Sequence, residues 1–250
     1  MNKFKPIIIP LLLIFIALFL WTIYWYLGSF YIKNKIHSLD NFSYEEINIK
    51  GYPFYFEIDV DELEYGTNKP LSLKKVNLKT LSWRFDQISA TTNKYILINL
   101  SNSIFVNLLP KILNINYQKT DKEKINLNLN GKDLIFSDNL QKNSFSVDKM
   151  LGNIEIDKDS KINLIVYKGK STLEIQGKLS KDKKDYINGK LEFSFSEPND
   201  IKKIFQIFGI RIDENPITNL LIYRGKIDLV FEDGISFLGP LPIGRAPKID

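Results

Sequence analysis

From Pro6 to Ile32 the chain carries no Asp, Glu, Lys, Arg or His; the run is entered through Lys3 and Lys5 and left through Lys33 and Lys35. Crossing a hydrocarbon core of ~30 Å takes about 20 helical residues at ~1.5 Å each. Ile7 to Leu27 supplies that length. Trp21, Tyr24, Trp25, Tyr26 and Tyr31 crowd its downstream end, where amphipathic rings settle at a membrane–water interface. Pro6 and Pro10 fall in the first turns, where a helix tolerates them best. A cleaved secretory signal would have a shorter apolar core and a small-x-small cleavage site; Leu27-Gly28-Ser29 lies beyond the aromatics and lacks that spacing. A buried core helix would lack the aromatic belt. The expectation is therefore an uncleaved transmembrane anchor over residues 1–35. Lys3, Lys5 and the α-amino group against Lys33 and Lys35 give only a slight positive-inside bias. A short tail before the span and a large domain after it suit a signal-anchor with the domain outside the cytoplasm.

This segment also accounts for the charge. The chain has 34 basic and 29 acidic side chains. Residues 1–39 hold Lys3, Lys5, Lys33 and Lys35 with no acid, leaving 30 basic against 29 acidic in the remainder. A nucleic-acid binder needs a concentrated basic face, and the densest run, Lys181, Lys183 and Lys184, is interrupted by Asp182 and Asp185. No nucleic-acid partner is expected, and the juxtamembrane lysines suit lipid headgroups. Cysteine is absent, which removes disulfides, thiolate nucleophiles and cysteine metal sites. Residues 36–250 must hold together by burial alone, and they are long enough to form one core.

Alternation dominates that region. Ile47 and Ile49, then Phe54, Phe56, Ile58 and Val60, recur every second residue, the period of a half-buried strand. Val76, Leu78 and Leu81 to Phe85, Ile125 to Leu129, Ile154 and Ile156, Leu173 and Ile175, Leu191 to Phe195, and Ile227 to Phe231 repeat it. The intervening residues are mostly Asn, Lys, Asp, Glu or Ser, so one face is wet, as an antiparallel sheet allows. Gly131-Lys132, Gly169-Lys170, Gly177-Lys178, Gly189-Lys190 and Gly225-Lys226 read as strand openings in which Gly turns or bulges the backbone and Lys discourages edge pairing. One helix is expected from an N-cap at Asn199 or Asp200, with Ile201, Ile204, Phe205 and Phe208 on one face and Gly209 ending it. A second, short helix is read near Ile217 to Ile222. Ser103 to Leu113, with Pro110 inside, is ambiguous, and Lys33 to Leu39 can continue the membrane helix outward.

Catalytic and ligand motifs fail on inspection. Gly169-Lys170-Ser171-Thr172 lacks the first glycine of a phosphate loop, since position 164 is Leu, and a strand-like stretch follows where a helix is required. Asp157, Asp159 and Ser160 lack the glycine and closing Glu of a calcium loop. Glu57, Asp59 and Asp61 share one strand face, which two-residue spacing leaves without an enclosing cage. Gly234-Ile235-Ser236 is not a nucleophile elbow, and His37, the single histidine, stands at the exit of the anchor. No enzyme activity, cofactor, metal or nucleotide is expected.

Two patches carry a family likeness. Gly51-Tyr52-Pro53-Phe54-Tyr55-Phe56-Glu57, after an anchor ending in Tyr24-Trp25, and the terminal run Asp233 to Gly244 containing Gly239-Pro240-Leu241-Pro242 resemble the bacterial family catalogued as domain of unknown function 2125. Trp83 belongs to the same outline, whereas Tyr55 stands where many members carry a basic residue. The resemblance implies a membrane-anchored periplasmic protein of Gram-negative bacteria and supplies no catalytic residues. Physically, Gly51 and Pro53 should bend the chain and restart the strand. Gly239-Pro240-Leu241-Pro242 should cap an edge or close an opening, because proline donates no ladder hydrogen bond.

The combined expectation is a mainly β protein: an N-terminal transmembrane helix, then a large curved antiparallel sheet, as an open barrel, a groove or a two-sheet sandwich, with one or two short helices. Residues 36–250 form a single extracytoplasmic domain, placed in the periplasm by a single pass through the inner membrane. Gly51, Tyr52, Pro53, Phe54, Phe56, Gly239, Pro240, Leu241 and Pro242 are the candidate structural or binding residues. Membrane lipid, or another hydrophobic ligand held in a sheet groove, is the expected partner. The alternative is a scaffold or assembly factor that binds another envelope protein.

Overall fold

The computed structural model describes residues 5–66, 70–101, 104–121, 123–138, 143–207 and 216–248; Lys3, Ser103, Phe208 and Gly209 lie outside them. The apolar run forms one helix, α1 (Lys5–His37), of 33 residues. At ~1.5 Å per residue it is about 50 Å long, some 20 Å more than a hydrocarbon core. From Ile9 onward it is long and apolar enough to cross a membrane. As expected, the helix continues beyond Lys33, and that surplus packs on the rest of the protein.

Strands follow: β1 (Phe42–Ser43), β2 (Glu46–Lys50), β3 (Tyr55–Tyr65), β4 (Leu71–Leu81), β5 (Arg84–Thr92), β6 (Ile96–Ser101), β7 (Ile104–Lys119), β8 (Ile125–Asp138), β9 (Ser144–Ile156), β10 (Ser160–Lys168), β11 (Ser171–Lys181) and β12 (Ile187–Phe195). Helices α2 (Pro198–Ile207) and α3 (Pro216–Tyr223) precede β13 (Lys226–Glu232), β14 (Ile235–Leu238) and β15 (Leu241–Arg245). All the strands belong to one sheet of 15, antiparallel throughout, whose order follows the chain. Hairpin-by-hairpin growth is what polar turns between alternating runs dictate. β1 and β2 both pair with β3, and β5 and β6 lie end to end between β4 and β7, so each couple is one interrupted strand. A two-sheet sandwich is thereby excluded. Among the described residues no pairing joins β15 to β1 or β2, so the sheet is open and not a closed barrel.

Register turns the alternation into two unlike faces. On one face Leu78, Ala90, Ile115, Leu129, Gly152, Leu164, Ile175 and Phe193 stand side by side from β4 to β12. On the other, Lys79, Ser89, Asn116, Asn128, Asn153, Asn163, Gln176 and Glu192 form the matching row. The alternation shifts by one residue at Glu62 (φ 51°) and Asp133 (φ 47°). There a left-handed residue bends the strand and keeps the apolar side chains on the same face: Leu129 and Gly131 are odd-numbered, Leu134 and Phe136 even.

Several expectations need correction. Phe54 is in the turn before β3, not on the strand, and Leu81 to Phe85 is not continuous alternation, because a turn at Ser82-Trp83 separates β4 from β5. From Ile104 on, the Ser103 to Leu113 stretch is strand, within β7. Pro110 is tolerated there because β6 pairs with β7 only as far as Leu108 and β5 only from Leu113, so no ladder bond is asked of it on that side. Of the Gly-Lys pairs, Gly169-Lys170 precedes a strand and Gly225-Lys226 opens one; Gly131, Gly177 and Gly189 lie inside strands. Gly177 and Gly189 permit close strand approach: a Cβ would stand 2.0 Å from the Lys190 carbonyl oxygen in the first and 2.2 Å from that of Lys178 in the second.

The helices cover part of the apolar face. α2 begins at Pro198 instead of after an Asn199 or Asp200 cap, using proline where its missing N–H costs nothing. It buries Ile201, Phe205 and Ile207, and Asp200 pairs with Lys168 of β10 at 2.8 Å. Together with Ile222 of α3 these side chains meet Val106, Leu134, Phe145, Val147, Phe193 and Ile227 in the main core. A second core holds Ile47, Ile58, Val60 and Val76, and against it pack Ile32 and Ile36 of α1.

Candidate functional site

The Gly51 to Phe56 patch is the joint between helix and sheet. Gly51 (φ 99°) and a cis Tyr52-Pro53 bond turn β2 into β3, and the turn closes with Tyr55 N–H donating to the Gly51 carbonyl at 2.9 Å. The aromatic belt of α1 donates into it. Trp21 Nε1–H bonds the Pro53 carbonyl at 3.0 Å, Trp25 Nε1–H the Tyr55 carbonyl at 2.8 Å, and Tyr24 O–H the Ser82 carbonyl at 2.5 Å. Thr22 and Tyr52 share a hydroxyl hydrogen bond at 2.7 Å. Trp25, 5 % exposed, stacks on Phe56 with ring centroids 5.5 Å apart, and Phe56 stacks on Phe85 at 5.8 Å. Gly28 permits this approach, since a Cβ there would lie 2.7 Å from Phe56 Cζ. The belt thus divides: Trp25 faces the sheet, while Tyr26 and Tyr31 remain exposed.

Gly239 (φ 57°) and Pro240 form the turn from β14 to β15. Leu238 and Leu241 pair beside the turn, and Pro242 opposes Phe237 at a bulge. The motif caps an edge, as the prolines require. Leu238 is buried in the main core, and the Gly239 backbone seats against Leu221 of α3. The two sequence patches are not brought together: they lie at opposite ends of the strand order.

Between them runs the feature that spacing implied and could not size. Leu113, Leu134, Phe145 and Phe193 are buried, whereas Ile115, Leu127, Leu129, Ile154, Ile162 and Leu164 on the same face are only half-buried. The face is therefore a covered core at one end and an open apolar strip toward the other. Where α2 lies over β8 to β11, a cavity of about 140 Å³ remains, lined by Phe136, Phe145, Val147, Met150, Leu164, Val166, Leu173, Ile175, Ile204 and Ile207. Every lining side chain is apolar, a setting that excludes water and accepts hydrocarbon.

The polar face is neutralised internally. Lys50 reaches Asp59 at 2.7 Å and Glu57 at 3.8 Å, Asn77 donates to both carboxylates, and Lys75 pairs with Asp61 at 3.2 Å. Hydrogen bonds from Asn77 and Lys50 hold the Asp59 carboxyl below the usual carboxylate range, and Asp59 in turn raises the Lys50 ammonium. Among the described residues no cluster of His, Asp and Glu has metal-holding geometry. The Tyr44 hydroxyl bonds His37 Nδ1, and Ser236, buried on β14, donates to the Arg245 carbonyl at 3.3 Å. Comparison with protein-family models, with curated proteins and with solved structures gave no match.

Proposed function

We propose that this chain is a lipid-handling protein of the bacterial envelope, held in the inner membrane by α1 with its sheet in the periplasm. The apolar face would bind acyl chains. The observation that carries this reading is the strip from Ile115 to Leu164, apolar yet only half-buried. At about 4.8 Å between strands, the half-open part of the row, Ile115 on β7 to Leu164 on β10, extends over roughly 14 Å, close to the ~15 Å depth of one leaflet's hydrocarbon. Each CH2 laid along it is worth about 0.8 kcal/mol. The cavity beneath α2 offers a dry end to such a chain. The envelope location is the one that the family resemblance implies.

Alternation supplies the test. Leu129 and Asn128 are neighbours on β8 that face opposite sides of the sheet. A photoreactive benzoylphenylalanine at each position, in the full chain expressed in cells, should give lipid adducts from position 129 and few from 128. Absence of lipid from position 129, or equal labelling at both, refutes the reading. A discrete protein adduct at 129 would instead favour the scaffold alternative.

A further inference from the structure

Phe54, Trp83 and Phe85 are 56 %, 54 % and 50 % exposed. Phe54 and Trp83 sit on the tips of two adjacent hairpins, the β2–β3 turn and the β4–β5 turn, Phe85 follows at the start of β5, and Tyr52 lies beside them, exposed as well. Large aromatic side chains clustered in the open mark a contact surface, and their level beside α1, where Trp83 packs on Trp21 at 6.0 Å between ring centroids, names the partner. Counting from Lys5 at ~1.5 Å per residue, a ~30 Å hydrocarbon core ends near Trp25. The tips are fastened at that level, through Trp21, Tyr24 and Trp25 to the carbonyls of Pro53, Ser82 and Tyr55.

We propose that these hairpin tips are a second membrane contact, seated at the headgroup–acyl boundary of the same bilayer that α1 crosses. It rests on the membrane anchoring proposed above. Backbone hydrogen bonding gives independent support. A turn immersed where water is scarce must have its carbonyls satisfied within the protein, whereas a solvated turn has no such need. Here the Gly51, Pro53, Phe54, Tyr55 and Ser82 carbonyls all accept protein donors, the Phe54 carbonyl from Ser82 N–H at 3.0 Å. Arg84 follows Trp83 at the tip, and Lys79 lies over the Tyr55 ring at 4.2 Å, both within the zone where cations meet lipid phosphate. Seated this way, β3, β4 and β5 meet the bilayer with their apolar face already at lipid depth, so a chain could pass from leaflet to strip without crossing water.

The absence of cysteine makes the test direct. Phe54→Cys, Trp83→Cys, Leu12→Cys in the membrane span and Tyr65→Cys at the far end of β3 would each be labelled with an environment-sensitive fluorophore in the full chain. The labelled proteins would be reconstituted in phosphatidylcholine–phosphatidylglycerol vesicles with and without spin-labelled lipid. Labels at positions 54 and 83 should shift to the blue and lose most of their emission to the spin label, as at 12, while 65 keeps a water-like spectrum. Water-like emission at 54 and 83 with quenching at 12 overturns the tip contact and leaves the anchor standing; no quenching at 12 overturns both. Blue-shifted labels at 54 that escape lipid quenching, together with disulfide-linked dimers of the unlabelled Phe54→Cys chain under an added thiol oxidant, would assign the patch to a second copy and also overturn the proposal.

Discussion

The joint between α1 and the sheet makes the most exacting prediction, because it depends on contacts between residues about 30 positions apart. Trp25 is almost wholly buried, stacks on Phe56 at an interplanar angle of 21° and caps the Tyr55 carbonyl. Replacing either ring by Ala should cost about 3–5 kcal/mol, the usual range for a buried aromatic. Trp25→Phe keeps an aromatic ring against Phe56 but removes the indole N–H and part of the ring system, so it should cost about 1–3 kcal/mol, less than truncation to Ala. The ring pair itself is worth about 0.5–1.5 kcal/mol beyond area, and both truncations empty the same space. The double variant Trp25→Ala with Phe56→Ala should therefore fall short of the sum by at least about 1 kcal/mol. Denaturant unfolding of the full chain in nanodiscs, followed by far-ultraviolet circular dichroism, measures all the terms. Additivity within about 0.5 kcal/mol, the behaviour of independent sites, would refute the joint. Gly28→Leu supplies the converse: it should loosen the wild-type joint by driving a side chain into the Phe56 ring, and be tolerated once Phe56 is Ala.

Two further predictions concern the sheet. Gly177→Ala or Gly189→Ala forces a Cβ into a neighbouring carbonyl and should destabilise by more than about 3 kcal/mol, in the range reserved for named backbone conflicts. Gly169→Ala, left-handed but with open space around it, should cost only about 1–2 kcal/mol; equal effects at 169 and 177 would sink the close-approach argument. Asp59 has a depressed folded pKa, so its contribution is present above the ordinary carboxylate range and lost as pH falls through the folded value. Lys50, raised, contributes fully below the ordinary lysine range and loses that contribution as pH rises through its higher folded value. Asp59→Asn should flatten the acid limb of a stability–pH profile, and an unchanged limb would show that the Lys50–Asp59–Asn77 group does not contribute.

Elements with a period were legible from sequence. Phe56, Ile58 and Val60 are buried on β3, and Ile201 and Phe205 face the core from α2, because side-chain direction follows directly from strand and helix geometry. Features that depend on a distant partner were not. The turn at Ser82-Trp83 contains no Gly, Pro, Asn or Asp, and Ser82 is only a weak turn signal. Pro110 argues against a strand until the gap between β5 and β6 is known. The bend at Asp133 falls on a residue type enriched at positive φ, whereas Glu62 carries no such hint. The Gly51-Tyr52-Pro53 bend was legible as a bend, but its role as a socket was not, since that requires the indoles of Trp21 and Trp25 to face it.

These long-range contacts alter what the aromatic belt means. Interfacial tryptophans on an isolated anchor merely fix its depth. Here the same rings also fix the sheet, because each N–H that would otherwise meet headgroup or water ends on a hairpin carbonyl. A half-open apolar face is an aggregation hazard for a freely diffusing protein, and this chain limits the hazard by position as well as by cover. The α2 and α3 helices shield the core from β8 to β13, while the end of α1 shields β2 to β4 through Ile32 and Ile36. What stays open is the strip at the other end of β7 to β10, on a sheet that cannot rotate freely about its tether. A flexible linker in place of the joint would leave every strand intact and remove that restraint. The hydrogen bonds of Trp21, Tyr24 and Trp25 are therefore the link between the fold and its proposed place beside a membrane.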